Sequence, residues 1–189
     1  MNRRKMGRHV NTIVAGVGRP VPSDPDALFE SLRACVERQL RARGEEARVE
    51  LHFREFPVDT VTGLMLDLTT RKIVIVEANT TKTHQLIILA HEIWHLLEGH
   101  GHVHGAEPAA VRAAARLLGG DLDLESAVEQ VATAARTDFD VDDERDAETF
   151  GLRLGAVFRP YLENDAERPP TDGLAGRIHS SLVHRGFRR

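Results

Sequence analysis

A single cysteine, Cys35, stands in the whole chain, so no intrachain disulfide can form and no metal site built on several thiolates is available. That scarcity suits a reducing compartment, and a cytoplasmic location is the expectation. Long apolar runs are missing as well. The longest unbroken one, residues 86–90, falls far short of the roughly 20 residues that a membrane span needs. Arg3-Arg4-Lys5 ahead of an apolar stretch at 10–18 imitates a secretory leader only faintly. The stretch carries Asn11 and Thr12 and has no convincing small-x-small cleavage site. Excess positive charge is absent too: 25 lysines and arginines against 29 acids give a formal net charge of -4. Neither nucleic acid nor a membrane surface is therefore expected as a direct partner. Lysine occurs only as Lys5, Lys72 and Lys82, a bias typical of GC-rich coding sequence and no indication of binding chemistry.

What is present is an ordinary globular composition. With 41% hydrophobic and 29% charged residues over 189 positions, the chain can build one domain with a real core. Residues 1–22 read as an N-terminal tail ending in Gly18-Arg19-Pro20-Val21-Pro22, residues 23–162 as the domain, and residues 163–189 as a linker with a tail or short helix. Ser23 can cap a helix with Pro25 in its first turn; Leu28, Leu32, Cys35, Val36 and Leu40 recur at helical spacing, and Gly44 marks the stop. Val49, Leu51 and Phe53 alternate with polar residues as in a half-buried strand. Two further short strands are expected over 63–67 and 72–76, and together these predict a three-stranded sheet. A helix then spans 83–98, capped by Thr80, Thr81 or Thr83 and stopped by Gly99 and Gly101. Alanine-rich helical stretches follow over 106–136, and another helix from about Asp142 to Val157, ahead of Pro160. The fold class is α+β, with no repeat of fixed period.

Ten histidines are many for this length, and six crowd between His84 and His104. Within them stands His91-Glu92-Ile93-Trp94-His95. On a helix, positions i and i+4 share a face, so both imidazoles can aim at one metal ion. Glu92 is turned about 100° from His91, which sets its carboxylate beside the metal's water and outside the ligand set. Chance yields such a pattern in a chain of this composition in roughly a few per cent of cases, and less often inside an apolar helix that follows a strand.

Two histidines leave the site short of a ligand, because catalytic zinc usually takes three protein ligands and keeps a fourth position for water. No third histidine follows at the metzincin spacing. The acidic string at 142–148 is the obvious source of a carboxylate, with Asp143, Glu144, Asp146 and Glu148 as candidates. The segment His100-Gly101-His102-Val103-His104-Gly105 reads first as a surface loop after the helix stop; a second metal site is its alternative.

His91-Glu92-x-x-His95 after a strand and a threonine-rich turn, followed by Glu144-x-Asp146-Ala147-Glu148-x-Phe150-Gly151, resembles the ImmA/IrrE (M78-like) family of zinc metallopeptidases, which is related in active-site pattern to the gluzincins. The resemblance spans about residues 25–160. It implies a zincin-like, minigluzincin-like fold, Zn2+ as cofactor and Glu144 as the third ligand. It also implies Glu148, where the family carries Asn or Asp, as a partner that orients a histidine. The segment between His95 and Glu144 is long for that family.

The activity so implied is that of a regulatory endopeptidase whose partner is a protein substrate such as a helix-turn-helix transcriptional repressor. Zinc lowers the pKa of its water toward 7; Glu92 takes the proton as the water attacks a carbonyl and passes it to the leaving amine. Tyr161, His179 or the 100–104 loop could supply a second electrophile, and residues 73–76 an edge strand that pairs with substrate backbone. The competing expectation is a zinc-binding interaction protein of toxin–antitoxin type that does not turn over; a third is a hydrolase acting on a small amide. Glu92 separates the first two, because a structural site has no use for a base there.

Overall fold

The computed structural model describes residues 3–56, 62–67, 70–99 and 141–162. Among them the order is α1 (Arg3–Val17), α2 (Pro25–Ala42), β1 (Arg48–Arg54), β2 (Gly63–Asp67), β3 (Arg71–Glu77), α3 (Lys82–Glu98) and α4 (Val141–Leu162). The architecture is α+β, as expected: four helices and a small mixed sheet among the described residues. The expected helices over 106–136 and 174–184, the 100–105 segment and the linker at 163–171 lie outside the described residues.

Residues 3–17 correct the expectation of a tail. They form α1, and Met6, His9 and Ile13 recur at helical spacing on its buried side. Met6 and Ile13 are 0% exposed and belong to the core shared with α2 and α3. Close approach to α2 is possible at Gly16, where a Cβ would lie 2.2 Å from Cys35 Sγ. Polar contacts finish the docking: Arg38 Nη2 donates to the Gly16 carbonyl at 2.9 Å, His9 Nε2 meets Glu98 Oε1 at 3.1 Å, and Lys5 pairs with the same carboxylate.

Helix α2 begins as its prolyl first turn predicts, but the cap is Asp24 and not Ser23: Asp24 Oδ2 accepts from Ala27 N at 2.8 Å. A carboxylate also answers the positive end of the helix dipole, which a neutral serine does less well. Leu28, Leu32, Cys35, Val36 and Leu40 are all buried.

The strand order is β1-β3-β2, with β1 parallel and β2 antiparallel to β3. This corrects a second expectation. Strand β3, with residues 72–76 buried, sits in the middle and has both edges paired, so it cannot accept a further strand. The outer strands are β1 and β2. On β1, helix α2 closes the edge at Val49: Arg33 Nη1 donates to its carbonyl at 2.9 Å and Glu37 Oε2 accepts from its N–H at 3.2 Å. On β2, Thr62 O accepts from Glu77 N at 2.9 Å, so the alternation of antiparallel pairing turns the peptide groups of Gly63, Met65 and Asp67 away from β3.

Strand β3 leads into α3 through a fixed turn. Glu77 Oε1 accepts from Asn79 N at 2.6 Å, and Gln85 Nε2 donates to Ala78 O at 2.9 Å. Thr81 caps the helix, its Oγ1 accepting from His84 N at 3.2 Å, and Gly99 ends it at φ 72°, a left-handed conformation that glycine adopts without cost. Leu86, Leu89, Ala90, Ile93, Trp94 and Leu97 are buried, so α3 is the central helix, packed between sheet and α4. Each large apolar side chain buried there contributes about 1.5–3 kcal/mol, ample to carry a few polar groups into the interior.

Helix α4 runs past the expected stop, through Pro160 to Leu162. Ala147, Phe150, Leu154, Phe158 and Leu162 make one buried stripe, and the anchoring of Phe158 and Leu162 offsets the hydrogen bond that Pro160 removes in the last turn. No helix among the described residues is long and apolar enough to cross a membrane.

Candidate metal centre

His91 and His95 lie one turn apart on α3, with ring centroids 4.9 Å apart and planes at 63°. Their Nε2 atoms are 3.2 Å from each other. Glu144, in the first turn of α4, reaches both: Oε2 lies 3.4 Å from His91 Nε2 and Oε1 lies 3.5 Å from His95 Nε2. A tetrahedral ion with bonds of about 2.0–2.1 Å holds its ligand atoms about 3.3–3.4 Å apart. The separation of the two rings' Nε2 atoms is close to that edge length, each ring faces a different oxygen of Glu144, and one ligand atom from each of the three residues lies within 4.8 Å of the others, so His91, His95 and Glu144 form a group that could hold a metal ion. The donor set, two imidazoles and one carboxylate with no thiolate, suits a borderline cation of the first transition row.

The electrostatics agree. Burial pulls the His91 pKa down, but the hydrogen bond with Glu144 and the charges of Glu92, Glu144 and Glu148 outweigh it and leave the imidazole above its ordinary value. A pocket that favours a protonated ring is one whose negative field a bound cation would neutralise. His95 is fully buried, His91 and Glu144 partly so, which leaves the cluster approachable from one side.

Among the acidic candidates the fold selects Glu144. Asp143 and Asp146 are neighbours on the same helix, yet neither joins the cluster of ligand atoms. Glu148, one turn further on, is exposed and makes no hydrogen bond to either ring among the described residues; its effect on His91 is that of a nearby charge. Glu92 is 5% exposed and lies outside the ligand group, on the side of α3 toward β2. Tyr161 is 40% exposed in the last turn of α4, about 25 Å along the helix from Glu144, and so cannot serve as an electrophile. His179 and the 100–104 loop lie outside the described residues.

What brings Glu144 to the histidines is a pair of glycines. A Cβ on Gly151 would lie 2.8 Å from Ile87 O and 3.6 Å from His91 N, and one on Gly155 would lie 2.8 Å from Ile87 Cγ1. Helix α4 therefore runs against the backbone of α3, in the opposite direction, and two turns before Gly151 the carboxylate of Glu144 reaches the rings. The missed signal was the spacing Gly151-x-x-x-Gly155 inside a helix, a stripe of missing side chains that permits such an approach. A third glycine, Gly63, stands against Glu92 itself.

Compared with protein-family models, with curated proteins and with solved structures, the chain finds no match.

Proposed function

We propose that this chain is a zinc-dependent metallopeptidase with His91, His95 and Glu144 as ligands and Glu92 as the catalytic base. One observation carries the reading: His91, His95 and Glu144 bring ligand atoms together, their nearest N–N and N–O pairs 3.2 to 3.5 Å apart, with a buried carboxylate on the residue after the first histidine. A structural zinc site closes its fourth position with a protein ligand and needs no such carboxylate. Among the described residues three ligand residues are grouped, and the buried Glu92 carboxylate lies outside them.

A zinc ion at this site would acidify a water molecule and polarise a carbonyl. Glu92 accepts the water's proton as the carbonyl carbon is attacked and delivers it to the departing amine. The low exposure of Glu92 keeps bulk water from competing for that proton. Zinc as the metal and a regulatory protein substrate, such as a helix-turn-helix repressor, follow from the resemblance to the ImmA/IrrE peptidases, and a cytoplasmic location from the scarcity of cysteine; all three belong to the proposal.

The test uses the zinc-loaded full chain and a proteome-derived peptide library, with new termini read by mass spectrometry. Cleavage is expected from the native protein, lost with chelator, and lost in Glu92→Gln at unchanged zinc stoichiometry. Zinc binding without any cleavage by the native protein would instead establish a zinc-binding interaction protein.

A further inference from the structure

Glycine at position 63 is not required by the backbone. Among the described glycines, positive φ occurs at Gly18, Gly44 and Gly99 only, and Gly63 is in regular strand pairing with Val76. Nor does the strand disfavour bulk: Leu64, Met65 and Leu66 follow, all buried. What position 63 lacks is space. A Cβ there would lie 2.6 Å from Glu92 Oε1, 3.3 Å from Glu92 Cδ and 2.6 Å from Ile88 Cγ2. Real Cβ atoms do not approach oxygen or carbon so closely, so any side chain would displace one neighbour or both. The other tight glycines, Gly16, Gly151 and Gly155, press on a thiol, a carbonyl and an aliphatic chain. Gly63 is the one described glycine pressed against a carboxylate.

We propose that Gly63 is a positioning residue for Glu92: its missing side chain is the seat in which the carboxylate rests. Helix α3 fixes the Cα of Glu92, but a glutamate has three rotatable bonds, and the helix alone does not choose where its oxygens end. The floor provided by the first residue of β2 does. The proposal deepens the assignment of Glu92 as base and takes its catalytic meaning from it; the seat itself is a matter of packing and can be tested without turnover.

The experiment is a double-mutant cycle on the full chain, metal-free and zinc-loaded, with thermal midpoints for the native protein, Gly63→Ala, Glu92→Asp and the double variant. Gly63→Ala is expected to lower the midpoint by roughly 2–10 °C. In the Glu92→Asp background, where the carboxylate is one methylene shorter, the loss should fall to half or less. The contact with Ile88 is common to both legs and cancels. Equal losses in the two backgrounds would overturn the proposal, because the space would then serve Ile88 alone. If Gly63→Ala yields no folded protein, recovery of the double variant supports the proposal and recovery of neither counts against it. On the peptide library, Gly63→Ala should keep its zinc and lose cleavage by at least about tenfold; undiminished cleavage would overturn the proposal. A native protein that binds zinc and cleaves nothing would remove the peptidase reading, and the thermal cycle would still decide for Gly63.

Discussion

Gly151 stands where a Cβ would come within 2.8 Å of the Ile87 carbonyl oxygen, so the contact between α3 and α4 is made by backbone against backbone. That approach sets how far Glu144 must reach. Gly151→Val is expected to push α4 outward, destabilise the fold by about 1–3 kcal/mol and weaken zinc binding by at least about tenfold. Calorimetry and a competitive zinc titration check both; a variant with native zinc affinity would show that the ligand is not positioned by this contact.

The same geometry distinguishes the acids of α4. Glu144→Ala should lose stoichiometric zinc, while Asp143→Ala and Asp146→Ala should retain it, because only Glu144 shares the ligand cluster. Removing an oxygen donor is expected to cost more than about 100-fold in affinity, beyond the effect of altering a residue that merely orients a ligand. Metal analysis after dialysis reads the difference directly. Glu148→Ala, which removes only a nearby charge from His91, should keep its metal.

Helix α1 is a structural part of the domain, and truncation tests that statement. Met6 and Ile13 have no exposed surface. Met6→Ala and Ile13→Ala should each cost about 2–5 kcal/mol, and deletion of residues 1–17 should expose the core faces of α2 and α3. Urea unfolding measures the first; insolubility or dye binding reports the second. A tail would give no effect in either.

Acid should unfold the protein partly through α2 and β1. Hydrogen bonding from Arg71 holds the Glu50 carboxyl below its ordinary value, against the opposing effect of burial. Burial pushes Glu37 up, but the Val49 N–H and Arg33 outweigh it and leave that carboxyl lowered as well. For a carboxylate lowered on folding, the stabilisation is fully present above the unfolded value of 4.5 and is lost as pH falls through the folded one. The contribution of Glu37 and Glu50 to the thermal midpoint should therefore be constant near neutrality and drop below about pH 4.5. Glu50→Gln should lower the neutral plateau and make the acid limb shallower. An unchanged limb would place the acid-sensitive groups elsewhere.

Much of this molecule was determined by local sequence. The period of Leu28, Leu32, Leu40 and their neighbours specified α2, β-branched residues specified β3, and Thr81 and Gly99 bounded α3. The histidine pair needed nothing but the helical repeat, since residues one turn apart share a face whatever surrounds them. Other features depended on partners distant in the chain. Sequence placed β3 as a possible edge; only the pairing of β1 and β2 on its two sides made it central. The helical period in Arg3–Val17 was legible, but its burial was decided by the faces of α2 and α3 that receive it. Residue type and spacing left four acids as candidates for the third ligand and the family resemblance pointed to Glu144; bringing that one to the histidines required the register of α4 on α3, set at Gly151 and Gly155. Glu92 followed the same division. The sequence determined that a carboxylate adjoins His91, because that is a matter of neighbouring residues on one helix. Where the carboxylate sits was decided by the tertiary structure, because the space it occupies is the one left open by Gly63, on a strand distant in the chain.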